Sequence, residues 1–142
     1  MKKSVIMIAL FCSSVVSAQE WKSSLQPALE EADSSGKNVF LFFSVADACE
    51  TCKALEEKVL LTEVFKNFAS DKYVLAKIDF TSDVSLEEKA ENLLIVEKYN
   101  KDGFFPWVVI INKSGKILGK TGLYNNESPE EYIRKLQSLE RS

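Results

Sequence analysis

The sequence predicts an α/β domain, because segments with helical periodicity alternate with short apolar runs of strand length. The clearest strand is residues 39–45, a nearly continuous apolar run typical of a central strand covered on both faces. Cys49 and Cys52 follow it, where a helix is expected to begin. The last helix has a strong start signal, with Ser128 as its cap and Glu131 three residues later.

The remaining elements also have local signals. The first helix is an apolar stripe that stops at Gly36, and Ser85 with Glu88 forms a capping box at the start of another helix. Residues 112–115 are a hairpin loop between two strands. Helices are predicted over residues 21–35, 49–60, 62–68, 85–99 and 129–139, and strands over residues 39–45, 73–80, 107–111 and 116–119.

Residues 1–18 are predicted to be a secretory signal peptide. Two lysines near the start precede an apolar stretch, and small or modest side chains lead up to Ala18. The stretch is short for a bilayer span, and no later run reaches about 20 apolar residues. We expect cleavage after Ala18, which discards Cys12 and leaves one soluble, exported domain over residues 19–142, periplasmic or otherwise extracytoplasmic.

Composition excludes several functions. The chain has no histidine, which excludes Ser-His-Asp and Cys-His catalysis and leaves the C-x-x-C motif without the histidine needed for haem attachment. Two thiols are too few for a structural zinc site, so neither a metal nor another cofactor is expected. The net charge of −3, which falls to −5 without the two signal lysines, argues against nucleic-acid binding.

The spacing of Cys49 and Cys52 indicates redox chemistry. At a helix start, backbone N–H groups and the helix dipole favour a thiolate. A structural clip is the alternative, but closing so small a loop restrains the unfolded chain little. A disulfide is also allowed in an exported protein. The pair therefore predicts electron exchange with the disulfides of other proteins.

The residues around the cysteines carry a resemblance to a known family. They read A-D-A-C-E-T-C-K over residues 46–53, followed by Leu55 and Glu56, and D-F-T stands at residues 79–81 after the next strand. This pattern resembles the C-terminal domain of DsbD-type thiol:disulfide interchange proteins, of the thioredoxin-like family. The resemblance implies a thioredoxin fold with a central mixed four-stranded sheet flanked by helices and an extra N-terminal helix.

The resemblance also implies roles for individual residues. Cys49 would be the attacking thiolate, and Cys52 would resolve the mixed disulfide. Pro106 matches the cis-proline of the family, which faces the cysteines, and Phe105 before it would pair with an extended substrate segment. Trp107 would complete the substrate-binding surface, although a role as a plain core residue is an equal alternative.

Several positions depart from the family pattern. Ala48 replaces a tryptophan that usually precedes the first cysteine, and Phe43 replaces a buried acid. Lys77 matches the lysine that accompanies that acid and, without its partner, is expected to be an exposed strand lysine. Residues 99–106 are one residue longer than the usual spacing, so an unusual partner-binding face is expected.

Glu50 bears on the direction of electron flow. Its carboxylate, next to Cys49, would disfavour the thiolate and raise the pKa of the thiol, although it could also be a plain solvated charge at a helix start. Strong oxidants have very stable reduced thiolates, so an acid between the cysteines favours disulfide reduction.

The sequence as a whole predicts an extracytoplasmic thiol:disulfide oxidoreductase that reduces protein disulfides. With no membrane segment of its own, it would be recharged by another protein, such as a membrane electron donor. Two alternatives stay open: a disulfide oxidase or isomerase with the same residues, and a non-catalytic binding module. In that module the disulfide is structural, and Phe104, Phe105 and Trp107 form an apolar docking patch.

Overall fold

A computed structural model describes residues 19–45 and 47–141 of the chain. The predicted signal peptide lies outside these residues. The helices are α1 (Leu25–Ser35), α2 (Glu50–Leu55), α3 (Glu63–Ser70), α4 (Leu86–Tyr99) and α5 (Pro129–Leu139), and α2 continues as a π-helical turn over Glu56–Leu60. The strands are β1 (Asn38–Phe43), β2 (Tyr73–Ile78), β3 (Trp107–Ile111) and β4 (Ile117–Lys120).

The four strands form one mixed sheet in the order β2-β1-β3-β4. Strand β1 pairs in parallel with β2 and antiparallel with β3, and β3 pairs antiparallel with β4. Helices cover the sheet on both sides, which is the thioredoxin fold. The predicted mixed four-stranded sheet is therefore confirmed.

The two faces of the sheet carry separate hydrophobic cores. Phe40 and Phe42 of β1 pack on the face covered by α2, α3 and α5. Val39, Leu41 and Phe43 pack on the opposite face, against α1 and α4. All five side chains are fully buried, and burying each is worth about 1.5–3 kcal/mol. This double burial explains why β1 is an almost uninterrupted apolar run.

The chain before α1 lies along the edge of β2, so the first helix begins at Leu25 rather than at Trp21. The N–H of Lys22 donates to the carbonyl of Leu75 at 2.8 Å, and the N–H of Lys77 donates to the carbonyl of Lys22 at 2.9 Å. The Trp21 ring packs edge-on against two phenylalanines of β1. Tertiary pairing thus overrides the helical stripe at Trp21 and covers an open sheet edge.

Side-chain hydrogen bonds set the ends of the other elements. Thr62 caps α3 and Ser85 caps α4, each accepting a hydrogen bond from a backbone N–H in the first helical turn. Strand β2 ends two residues earlier than predicted. There Asp79 turns the chain, since its Oδ1 accepts from the N–H groups of Phe80 at 2.8 Å and Thr81 at 3.2 Å.

Candidate active site

Cys49 is the N-cap of α2, at the end of the chain segment that leaves β1. Its Sγ accepts a hydrogen bond from the backbone N–H of Cys52 at 3.2 Å. The two cysteines form a disulfide, with their Cα atoms 5.2 Å apart. An N-cap side chain faces the unpaired N–H groups of a helix, and those groups stabilise negative charge on it.

The two sulfur-bearing residues differ in exposure. Cys49 is partly exposed, whereas Cys52 is only 2% exposed, one turn further along the helix. A partner protein can therefore reach Cys49 more readily than Cys52. This asymmetry matches an attacking residue followed by a resolving residue.

Pro106 lies at the same end of the sheet as the disulfide. The Phe105–Pro106 peptide bond is cis, and Pro106 is buried. Directly after it, Trp107 pairs with Phe43, the last residue of β1. This register places Pro106 beside the end of β1, from which the chain continues to Cys49. The fold thus brings together two motifs more than 50 residues apart.

The predicted substrate-binding residues next to Pro106 are neither fully buried nor fully exposed. Phe105 and Trp107 are partly exposed and pack against the core on the α1 and α4 face. Phe104 is 43% exposed, and its ring centroid lies 5.3 Å from that of Trp107. Trp107 is therefore both a partial core residue and part of an aromatic surface.

Lys77 is not the exposed strand lysine that the sequence predicted. Its Nζ lies 3.1 and 3.0 Å from the two carboxylate oxygens of Glu56, and 3.7 Å from Asp79. The Lys77 side chain is 25% exposed, and its Nζ lies 5.8 Å from the centroid of the Phe42 ring. Its partner acid lies in the π-helical turn that continues α2, four residues after Cys52, and not at the position of Phe43 in β1.

Two carboxylates stand close to Cys49 in the chain. Glu50 is exposed in the first turn of α2. Asp47 is also exposed, and its Oδ2 accepts a hydrogen bond from the N–H of Ser82 at 3.3 Å. Lys53 is the basic residue of the same short helix. The site of the disulfide therefore carries more negative than positive side chains from this segment.

Two residues of the site have roles that the sequence does not predict. Glu56 stands in the motif, but nothing local shows that it pairs with a lysine 21 residues away. Asn100 is a buried amide that binds the backbone of Phe104 in both directions. The extra residue between Tyr99 and Pro106 was the one signal that this turn is special.

Within residues 19–45 and 47–141, no group of three or more His, Cys, Asp or Glu residues could hold a metal ion. In the same part of the chain, no helix is long and apolar enough to cross a membrane.

Comparison with known proteins defines the class. The sequence pattern of a family described as thioredoxin-like matches residues 20–113. The chain belongs to the thioredoxin-like family. Together with the Cys49–Cys52 disulfide, this membership confirms the prediction of a thiol:disulfide oxidoreductase.

Particular relatives narrow the comparison. The chain is 28% identical over 121 residues to the disulfide bond reductase DsbH of Chlamydia pneumoniae, over 84% of this chain and 71% of that protein. A solved structure of a DsbH oxidoreductase matches with a TM-score of 0.77 and 24% identity, over 97% of this chain and 95% of the other. The oxidised C-terminal domain of DsbD from Neisseria meningitidis matches with a TM-score of 0.59 and 20% identity, over 84% and 98%. The predicted resemblance is confirmed, and the two structures show the shared fold.

Proposed function

We propose that this protein is an exported oxidoreductase that reduces disulfides in other proteins through Cys49 and Cys52. The observation that carries the proposal is a disulfide at a helix start, with one sulfur-bearing residue accessible and the other buried. The relative named as a disulfide bond reductase supports the reductive direction. The acid at Glu50 supports it as well, because a carboxylate beside Cys49 disfavours an over-stabilised thiolate.

The reaction begins with both cysteines reduced. The Cys49 thiolate attacks one sulfur of a client disulfide, a new S–S bond forms, and the other client sulfur leaves as a thiolate. The Cys52 thiol then loses its proton, and the resulting thiolate attacks the Sγ of Cys49 and expels the second client sulfur as a thiolate. Two electrons pass to the client, and the protein is left with the Cys49–Cys52 disulfide.

The helix start serves the first step. The N–H of Cys52 points at the Sγ of Cys49 from 3.2 Å, and hydrogen bonds to a charged acceptor are roughly twice as strong as neutral ones. This contact therefore stabilises the Cys49 thiolate that attacks the client disulfide. No metal, nucleotide or flavin takes part in these steps.

Client binding is assigned to the segment around Pro106. Phe105 would pair through its backbone with an extended client segment, and Trp107 would contact that segment from the half-buried position described above. The oxidised protein must be reduced again, and a membrane electron-donor protein is the proposed source of electrons. Failure of every such donor to reduce the pair in a reconstituted assay would count against that part of the proposal.

Trapping tests the central step. With Cys52→Ser, the mixed disulfide between Cys49 and a client cannot be resolved and should accumulate as a covalent adduct. We would mix the reduced variant with insulin and detect the adduct by non-reducing electrophoresis and mass. Cys49→Ser is the matched control and should give no adduct. If Cys52→Ser forms no adduct and the reduced wild-type protein does not reduce insulin, the results would favour a structural disulfide and a binding role.

A further inference from the structure

The turn before Pro106 is fixed by a buried amide. Asn100 is 2% exposed and lies at the C-terminal end of α4. Its Nδ2 donates to the carbonyl of Phe104 at 2.8 Å, and its Oδ1 accepts from the N–H of Phe104 at 3.2 Å. Gly103 closes the turn with a left-handed φ of 68° and donates to the carbonyl of Asn100 at 3.0 Å. The backbone of Phe104 is thereby held in one place.

The fixed turn presents an aromatic pair to solvent. The Phe104 ring is 43% exposed and stacks in a tilted arrangement on the partly exposed Trp107, with centroids 5.3 Å apart. Rigid aromatic surface binds an apolar side chain with little loss of conformational entropy. Trp107 pairs with Phe43 at the end of β1, so the aromatic pair lies at the same end of the sheet as the disulfide.

Sheet order separates this aromatic pair from the carboxylates of the site. Strand β1, which leads to Cys49, lies between β2 and β3. The aromatic pair stands at the start of β3. Asp47 is bonded to Ser82, which follows β2, and therefore lies on the other side of β1. The surface around Cys49 is consequently apolar on one side and acidic on the other.

We propose that Phe104, positioned by Asn100, and Trp107 dock an apolar side chain of an extended client segment whose disulfide is flanked on its other side by a basic residue. This inference rests on the proposed disulfide exchange at Cys49. Charge complementarity with Asp47 and the exposed Glu50 selects the basic residue, and the net charge of −3 for the whole chain acts in the same direction.

Synthetic peptides with three pairs of flanking residues, each made in both orders, test the docking surface. Each peptide has one cysteine linked by a disulfide to glutathione. The residues on opposite sides of the cysteine are leucine and lysine, serine and lysine, or leucine and glutamate. Pre-reduced protein is mixed with each peptide in single-turnover experiments over a range of concentrations. We expect the leucine–lysine peptide to react about tenfold faster than the serine–lysine peptide at low concentration, the discrimination typical of one small apolar contact. It should also react faster than the leucine–glutamate peptide, and added salt should reduce this second preference.

Variants identify the residues responsible for the preference. Phe104→Ser and Asn100→Asp should bring the ratio of the leucine–lysine rate to the serine–lysine rate to within about twofold, because each removes or releases the aromatic contact. For Asn100→Asp, the loss should appear as a higher concentration for half-saturation, with the limiting rate retained. Leu86→Ser, at an 80% exposed position on α4, and Asn92→Asp, at another buried amide, are matched controls that should keep the wild-type ratio.

The outcomes separate the two proposals. Equal rates for the leucine–lysine and serine–lysine peptides with the wild-type protein, or a preference for leucine that survives Phe104→Ser, would overturn the aromatic docking surface. Equal rates for the leucine–lysine and leucine–glutamate peptides would overturn the selection of a basic residue. Each of these results leaves disulfide exchange standing, whereas absence of exchange with every peptide would overturn the proposed function itself. Loss of the preference in Leu86→Ser or Asn92→Asp to the same extent as in Asn100→Asp would show that general destabilisation, and not positioning of Phe104, causes the effect.

Discussion

Helices α2 and α5 begin with the same hydrogen bond but serve different purposes. In α2 the Sγ of the N-cap Cys49 accepts from the N–H of Cys52 at 3.2 Å, and in α5 the Oγ of the N-cap Ser128 accepts from the N–H of Glu131 at 3.2 Å. The third helical residue then differs. Cys52 forms a disulfide with its N-cap residue, whereas the carboxylate of Glu131 accepts a hydrogen bond from the N–H of Ser128 at 2.8 Å.

The comparison shows how one local geometry can hold either a reactive group or a stabilising one. Both N-caps place a side chain at the positive end of a helix dipole. A hydroxyl there satisfies a backbone donor and nothing more, while a sulfur there gains a favoured anionic state and becomes a nucleophile. Function at α2 therefore depends on having sulfur at the N-cap, whereas folding requires only a side chain that can accept the capping hydrogen bond.

Cys49→Ser is the sharpest test of this difference, because it gives α2 the same N-cap residue as α5. Serine is a good N-cap, so the stability of the variant should stay within about 0.5 kcal/mol of that of reduced wild-type protein. Insulin reduction should be lost completely, since no nucleophilic sulfur remains at the cap. Denaturant unfolding and the insulin assay measure the two effects, and a variant that fails to fold would contradict the claim that the cap alone is structural.

Ser128→Ala removes the capping side chain of α5 and should have the opposite effect, a loss of stability without a loss of activity. It should cost about 1 kcal/mol of unfolding free energy and leave the rate of disulfide exchange unchanged. Ser24→Ala is the matched control, because Ser24 is the N-cap of α1 but makes no side-chain capping hydrogen bond in the described structure. Equal destabilisation by both substitutions, measured by chemical denaturation, would show that the Ser128 contact contributes little.

The charge of Glu131 in the capping box of α5 should make the stability of the protein depend on pH. Hydrogen bonds from the backbone and side chain of Ser128 lower the pKa of Glu131. A carboxyl whose pKa is lower in the folded state stabilises the protein above its unfolded pKa of about 4.3, and that contribution is lost as the pH falls through the folded pKa. The difference in melting temperature between wild type and Glu131→Gln should therefore shrink below about pH 4. A constant difference from pH 7 to pH 3 would contradict this account.

Glu50→Gln should have the smallest effect of the four substitutions. Glu50 is the first residue of α2, next to the reactive cap, and its removal should lower the pKa of the Cys49 thiol in the reduced protein. Because the Glu50 side chain is exposed and screened by salt, we expect this change to be small. The pH dependence of alkylation by iodoacetamide measures it, and a rise in the thiol pKa would refute the proposed role of Glu50.

Much of this molecule follows from local sequence. The caps at Thr62, Ser85 and Ser128, the strand at residues 107–111 and the Cys49–Cys52 motif all depend on residues within four positions of one another. Such short-range signals survive folding because the groups that satisfy each other are already neighbours in the chain.

The parts that sequence could not predict depend on distant contacts. Trp21 lies outside α1, although the predicted helix included it, because its segment pairs with β2. Lys77 is half-buried and pairs with Glu56, which reaches it from the π-helical turn after α2. Asn100 has no local pattern that marks it as the residue that fixes Phe104. In each case the partner is chosen by the packing of the sheet and helices, which periodicity and spacing do not encode.

The central claim is that Cys49 and Cys52 exchange electrons with other proteins, and the reduction potential of the pair tests it most directly. The protein would be equilibrated in redox buffers and the fraction of free thiols measured by alkylation and mass. We predict reversible cycling with a potential near the roughly −270 mV of thioredoxin. A bond that stays closed below about −300 mV would contradict the claim and make the disulfide structural, and a value near −120 mV would instead indicate an oxidase.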